Sequence, residues 1–369
     1  MKFNYLKWDE VGSLTVSSYS DSPYLGMFIN VGTINLGRFY PDYLVYSEGD
    51  DCNDNDWTYA PGLTDFAYMN QPITMCFTVV AKSVDGQSTT NYGLFHPSLK
   101  NTLKAEGVNK EGVDLTGRMS NKSTTYNDWS GAELVIKDDQ FKFSKSESDH
   151  PTSSNYTTIP DGPYTSDNSQ FGSYVSEIKD GLDFDFSTGI EIGGSDNLSV
   201  PHGLEFPEQP DFRYGRMTLD SVSGPIGGPI QVPLRTEYWK NGTFIRNTDD
   251  SGSQFMTSQY CRLNNVAGSD AYLTDANDAT AKQTVSSGKS EIVRAAQITP
   301  QRESVRLFLR QGETQPDGTN CSWENGTQPW LQFNWRNLGD EDPSTTVIFG
   351  AYRGNDRIIY RGEPNLTAN

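Results

Sequence analysis

The sequence predicts an all-β chain: two or more immunoglobulin-like, antiparallel β-sandwich modules with long loops and little helix. Three observations carry that reading. Short aromatic and β-branched runs such as MCFTVVAKS and TTVIFGAY recur, bounded by Gly, Asn, Asp and Pro, and alternation over about four to eight residues is the period of a strand with one buried face. The dipeptides Asp85-Gly86 and Asn241-Gly242 sit between such runs, and both favour the tight turns that join antiparallel strands. The chain also holds 34 glycines and 19 prolines in 369 residues, a supply of turn formers that suits many short strands.

In chain order, GSLTVSSYS and YLGMFINV are the first strand-like runs. GRFYPDYLVYS follows, with Pro41 confining it to an edge or a strand entry, because proline cannot donate to a ladder. EGDDCNDNDW (48–57) reads as an acidic loop pinned by Cys52. Residues 66–95 form the clearest predicted hairpin: MCFTVVAKS, the Asp85-Gly86 turn, then TTNYGLF returning. SLKNTLKAEG offers one short helical segment, and AELVIKDDQFKFSKS resumes strands. Residues 146–170, rich in Ser, Thr, Pro and Asp, read as a long loop, and a strand pair is expected around Asp180-Gly181. The Gly- and Pro-rich stretch 194–212 marks a boundary, dividing the chain into a region 1–210 and a domain 211–369. Beyond it, RYGRMTLDSV and PLRTEYWKNGTFIR form the next sheet, hinged at Asn241-Gly242. Residues 286–309 read as strands because Pro300 interrupts any helix. The closing block places strands at WLQFNW, TTVIFGAY and RIIY around the acidic turn LGDEDP.

A formal charge of −19 argues against nucleic acid as a partner, since phosphate contacts need a surplus of Lys and Arg. No run of 18 apolar residues is present, so no helix is expected to span a membrane. The four cysteines, Cys52, Cys76, Cys261 and Cys321, lack CxxC spacing, which argues against a thiolate metal site and for two disulfides in an oxidising compartment. Pairing Cys52 with Cys76 and Cys261 with Cys321 closes the shorter loops, although three connectivities are open to four cysteines. Disulfides without an apolar leader after Met1 suggest a fragment of a longer secreted chain.

Carboxylates are hard-cation ligands, so the acidic clusters are candidate calcium sites. Asp51, Asn53 and Asn55 alternate as in calcium loops, although the EF-hand Gly and Glu positions are not matched. Asp340 and Asp342 flank a second cluster, and Asp183 and Asp185 form a third. Trp57 and Trp129, in polar surroundings, are candidate platforms for stacking on sugar rings, whereas Trp239, Trp330 and Trp335 belong to strand runs and are expected in the core. No GxSxG, HExxH or P-loop motif occurs, and His96, His150 and His202 all adjoin Pro or Gly in turn-like settings. No catalytic residues are therefore assigned, and the chain is not read as an enzyme. The competing reading is a carbohydrate-active enzyme using paired carboxylates, or a calcium-dependent carbohydrate-binding module.

Six blocks, WDEVGSL, GRFYPDY, FAYMNQP, PDGPY, PLRTEYWKNGTFIRNTDD and PWLQFNW…DPSTTVIFGAYRGNDRIIY, resemble in order the terminal region of MshQ-type proteins. That family is linked to biogenesis of the mannose-sensitive haemagglutinin pilus, a type IV pilus. The resemblance implies an extracellular, pilus-associated or tip-located adhesive component at the surface of a Gram-negative bacterium. Its expected partners are minor pilins or other pilus components, with a surface, host or polysaccharide receptor.

Overall fold

The computed structural model describes residues 7–47, 52, 56–120, 126–147, 158–177, 203–263, 268–276, 280–322, 326–336 and 339–351. These residues build strands joined by turns and four short 3-10 segments, with no α-helix among them. Two units emerge, one comprising Met1–Ser146, Ile159–Tyr214 and Trp239–Asn241, the other Glu147–Thr158, Gly215–Tyr238 and Gly242–Asn369.

In the first unit the long strand Ile73–Lys82 is the hub of one sheet. Tyr43–Tyr46 and Asp56–Thr58 pair with different parts of its length, Glu133–Phe143 pairs along its other edge, and Met119–Ser120 extends the sheet beyond. A second sheet runs in the order Gly203–Glu205, Ser169–Glu177, Thr102–Asn109. The alternation that marks a strand now has a cause: Met75, Phe77 and Val79 are fully buried, as are Phe141 and Phe143 on the neighbouring strand. Between the sheets lies an aromatic core. Trp57 meets Phe77, Phe141 and Phe206 at centroid distances of 5.4, 5.1 and 5.4 Å, and Phe77 stacks on Phe206 at 4.4 Å. Such pairs add about 0.5–1.5 kcal/mol each beyond the area they bury.

The same unit carries a charged clamp. Arg118 donates to both oxygens of Asp161 at 2.5 and 3.2 Å, to the Tyr164 hydroxyl at 3.0 Å and to the Ser144 carbonyl at 2.9 Å, while its guanidinium lies 4.4 Å from the Phe143 ring centre. Burial, helped by the adjacent Asp161 charge, pushes the Tyr164 phenol up to about 12.

The second unit is built on a five-stranded sheet in the order Val222–Gly224, Ser344–Phe349, Glu303–Leu309, Tyr260–Leu263, Thr319–Cys321. The first of these pairings is parallel and the others antiparallel. Gly215–Leu219 pairs with Leu234–Lys240, which turns at Asn241 and Gly242 into Thr243–Arg246. Both turn residues have positive φ, 51° and 80°, as a type I′ hairpin requires. A three-stranded sheet, Ile230–Gln231, Val293–Ala296, Tyr272–Asp275, faces inward with Leu273, Val293 and Ala295. Arg216 donates twice to one carboxylate oxygen of Glu237, at 2.9 and 2.7 Å, and lies over the rings of Phe244, Trp335 and Phe333 at 3.6, 4.8 and 4.9 Å.

Four local expectations differ from what forms. The first hairpin returns at Gly32–Phe39, not at YLGMFINV, because Leu25 and Gly26 take left-handed conformations and turn the chain at Tyr24–Met27. The Asp85-Gly86 turn forms, yet TTNYGLF coils into a 3-10 turn over Thr90–Leu94, and Glu133–Phe143 takes the ladder instead. The segment expected to be helical, 98–107, instead runs into the strand Thr102–Asn109, held by eight register pairs to Ser169–Glu177. WLQFNW forms a 3-10 turn at Pro329–Leu331 with an isolated bridge at Phe333, because Pro329 opens the run without a donor. The expected strands around Asp180-Gly181 and at RIIY lie outside the described residues.

Both disulfides close as the shorter loops suggest. Cys52 joins Cys76 in the hub strand across a separation of 24 residues, and Cys261 joins Cys321, its direct register partner, across 60. Loop-closure entropy gives them about 3.5 and about 4 kcal/mol respectively. Replacing Cys261 and Cys321 together by Ser is expected to lower unfolding free energy by about 4 kcal/mol. Urea titration of the variant against the parent chain measures it.

Candidate functional site

The residues proposed from sequence as surface platforms are core residues. Trp57 and Trp129 are each only 3% exposed. Trp57 is part of the strand Asp56–Thr58, and its indole N–H donates to the Glu208 carbonyl at 2.8 Å. Pairing with Ile73–Lys82 draws this polar-looking segment inward next to Cys52. Trp129 donates to the Asn101 carbonyl at 2.9 Å, Asn101 N–H donates to the Tyr92 hydroxyl at 2.7 Å, and Tyr92 packs edge-on to Trp129 at 4.8 Å, closing a ring of three. Burial pushes the Tyr92 phenol up to about 12. Conversely, Trp239, Trp330 and Trp335 are half-buried, and the last two lie outside strands.

The acidic turn is likewise structural. Asp342 is buried and ion-paired to the equally buried Arg310. Its second oxygen accepts the backbone N–H groups of Gln311 and Gly312 at 3.0 and 2.8 Å and the Gln332 side chain at 3.0 Å. Arg310 in turn donates to the carbonyls of Gly312, Glu313 and Thr314. The neighbouring Glu341 accepts from Arg336 at 2.9 and 2.8 Å. The calcium assignment at Asp342 is therefore corrected: its lone pairs are occupied by protein donors and it faces the interior. Asp340 is half-buried and already engaged, while Asp51, Asn53 and Asn55 lie outside the described residues. Among the described residues no group of three or more His, Cys, Asp or Glu is placed to hold a metal ion.

A different surface gathers polar chemistry. On the three-stranded sheet of the second unit, Thr274 pairs with Arg294 and Tyr272 with Ala296, so these side chains share the face opposite the buried Leu273, Val293 and Ala295. Together with Gln297, Asp275 and the Gly227–Pro229 loop they line an open groove of about 440 Å³. Gly227, at φ 78°, lets that loop turn over one end. Arg294 has no hydrogen-bond or ion-pair partner among the described residues, unlike Arg118, Arg216, Arg235 and Arg310. No sequence motif marks this site, because its residues come from two strands and a loop that only the sheet brings together.

One carboxylate of the first unit is out of its usual range. Burial, reinforced by the nearby Asp114 charge, raises Glu106 to about 7, and its Oε1 has no hydrogen-bond partner. The folded chain thus prefers the neutral acid. Its stability contribution is full below the unfolded carboxylate range and is lost as pH rises through 7.

Two measurements follow from these geometries. Glu106→Gln is expected to raise the melting temperature by a few degrees at pH 8 and to leave it unchanged at pH 4, as read by calorimetry at both pH values. Asp342→Asn strands a buried guanidinium and is expected to destabilise by about 3–5 kcal/mol, whereas the double variant Arg310→Met, Asp342→Asn recovers part of that loss in chemical denaturation.

Two family models match the chain: DUF6701, third domain, over residues 10–198, and DUF6701, fourth domain, over residues 213–364. No curated protein matches it. Among solved structures, the native conformation of E. coli alpha-2-macroglobulin determined by cryo-EM aligns with 90% of this chain at 8% identity and a TM-score of 0.17, and the chain spans 20% of that protein's length. That likeness is too slight to bear on the fold. The two models together run through both units described above, and the chain belongs to the DUF6701 family, of which it carries the third and fourth domains.

Proposed function

We propose that this chain is an extracellular structural and adhesive component of a surface fibre, of the MshQ type associated with the mannose-sensitive haemagglutinin type IV pilus of a Gram-negative bacterium. It is pilus-associated or tip-located, beside minor pilins or other pilus components, and attaches to a surface polysaccharide or host receptor. The two disulfides support an oxidising, extracellular location. The blocks that resemble MshQ-type proteins, PLRTEYWKNGTFIRNTDD and PWLQFNW…FGAYRGNDRIIY above all, support the pilus assignment.

The observation that carries an adhesive role is the groove beside Arg294. A guanidinium with no partner among the described residues, next to a tyrosine ring and a threonine hydroxyl, is a donor set suited to the carboxylates and hydroxyls of an acidic glycan. The groove's one carboxylate among the described lining residues is Asp275, where glycoside hydrolysis takes two, so the reading is attachment and not turnover.

Arg294→Ala is expected to weaken binding to uronic-acid oligosaccharides at least tenfold on a glycan array or by calorimetry, with an unchanged melting temperature. Equal binding by the parent chain and the variant, or release of reducing ends from any polysaccharide by the parent chain, overturns the proposal.

A further inference from the structure

The strands Gly12–Ser18 and Gly32–Phe39 form an antiparallel ribbon by themselves: among the described residues, neither outer edge is joined by another strand. Their register sorts the side chains cleanly. Leu14 faces Leu36 and Val16 faces Ile34 on one side, while Thr15 faces Asn35 and Ser17 faces Thr33 on the other. The apolar side is uncovered, with Val16, Ile34 and Leu36 all exposed. Beyond the ribbon, the tip holds Tyr24, Leu25, Met27 and Phe28, with Leu25 80% and Phe28 89% exposed. Eleven of the twenty exposed large hydrophobics among the described residues fall between positions 16 and 39. At roughly 150–250 Å² for a large side chain, their exposed parts amount to on the order of 1,000 Å². Spread over the ribbon and its tip, that is the scale of the roughly 800 Å² that each partner contributes to a stable interface.

The composition of the ribbon selects its occupant. Between Val11 and Gly37 the sole charged residue is Asp21, in a chain of net charge −19. A basic partner would be drawn to the acidic surfaces and not to this neutral strip. A lipid surface would leave the free edge amides and carbonyls without hydrogen bonds, and the ribbon's one basic residue, Arg38, sits at its base, away from the tip, with its guanidinium donating to the Tyr40 hydroxyl at 3.1 Å. A second ribbon of the same kind offers an identical apolar face, the same strand twist, and the place where two acidic chains meet with least repulsion.

We propose that the 12–39 ribbon is a self-docking surface: two copies of the chain lay the Leu14, Val16, Ile34, Leu36 faces of their ribbons together about a two-fold axis, each tip reaching along the partner's ribbon. The inference is independent of the glycan groove.

Sedimentation of the 369-residue chain from 1 to 100 µM tests it. The parent chain is expected to shift from monomer to dimer across that range. Val16→Asp with Ile34→Asp is expected to remain monomeric at 100 µM, while Ser17→Asp, on the polar face, dimerises as the parent does. Because a charged pair can also disturb the ribbon itself, Phe28→Asp at the tip is the second variant, expected to raise the dimer dissociation constant at least tenfold with an unchanged melting temperature. Hydrogen exchange of residues 12–39 in the parent chain is expected to slow as concentration rises. A parent chain that stays monomeric at 100 µM, dimerisation indifferent to both apolar variants, or a monomer that floats with phosphatidylcholine–phosphatidylglycerol vesicles overturns the proposal, the last in favour of a lipid surface.

Discussion

Trp57 is the contact through which the first unit coheres. Only about a third of this chain is hydrophobic, so its sheets cannot rely on a broad aliphatic interior. A single large ring that touches Phe77 and Phe141 on one sheet and Phe206 beyond it supplies packing that many smaller side chains would otherwise have to provide. Its N–H is satisfied by the Glu208 carbonyl, so the polar end of the indole costs little to bury. The nearby Cys52–Cys76 link ties Cys52, shortly before it in the chain, to the hub strand. Arg118 completes the arrangement from the other end of the core, lying over Phe143 while Asp161 balances its charge.

The second unit solves the same shortage differently. Arg310 and Asp342 sit inside it, paired with each other, and backbone groups of residues 311–314 take up most of their other donors and acceptors. A buried pair of this kind adds little or no net stability over an apolar substitute, because the cost of desolvating both charges offsets their attraction, but it tolerates one geometry only. It therefore acts as a register pin, setting where the acidic turn meets the end of the strand Glu303–Leu309. Arg216, surrounded by Phe244, Phe333 and Trp335, plays a related part near the surface.

Much of the architecture was legible in the residues. The all-β class, the strands at Ile73–Lys82, Glu133–Phe143 and Ser344–Phe349, the turn at Asn241-Gly242 and both cysteine pairs follow from period, turn chemistry and loop length. What was hidden is whatever depends on a distant partner. Thr102–Asn109 has local propensity for a helix, and only its ladder with Ser169–Glu177 makes it a strand. Trp57 and Asp342 look exposed because their neighbours in sequence are acidic, whereas their neighbours in space are rings and a guanidinium. The Arg294 groove has no linear trace, since Tyr272, Arg294 and the Gly227–Pro229 loop are strangers in sequence.

The Cys261–Cys321 bond joins residues that already face each other on adjacent strands. A pull applied to the two ends of the chain would cross that bond directly, and the span between the cysteines would carry no load. Roughly 200 Å of contour is thereby withheld from stretching, at about 3.4 Å per extended residue. The segment so shielded includes Tyr272, Arg294 and the rest of the strand pair beneath the groove, so traction on the molecule would spare that floor while the Gly227–Pro229 loop, outside the span, still bore load.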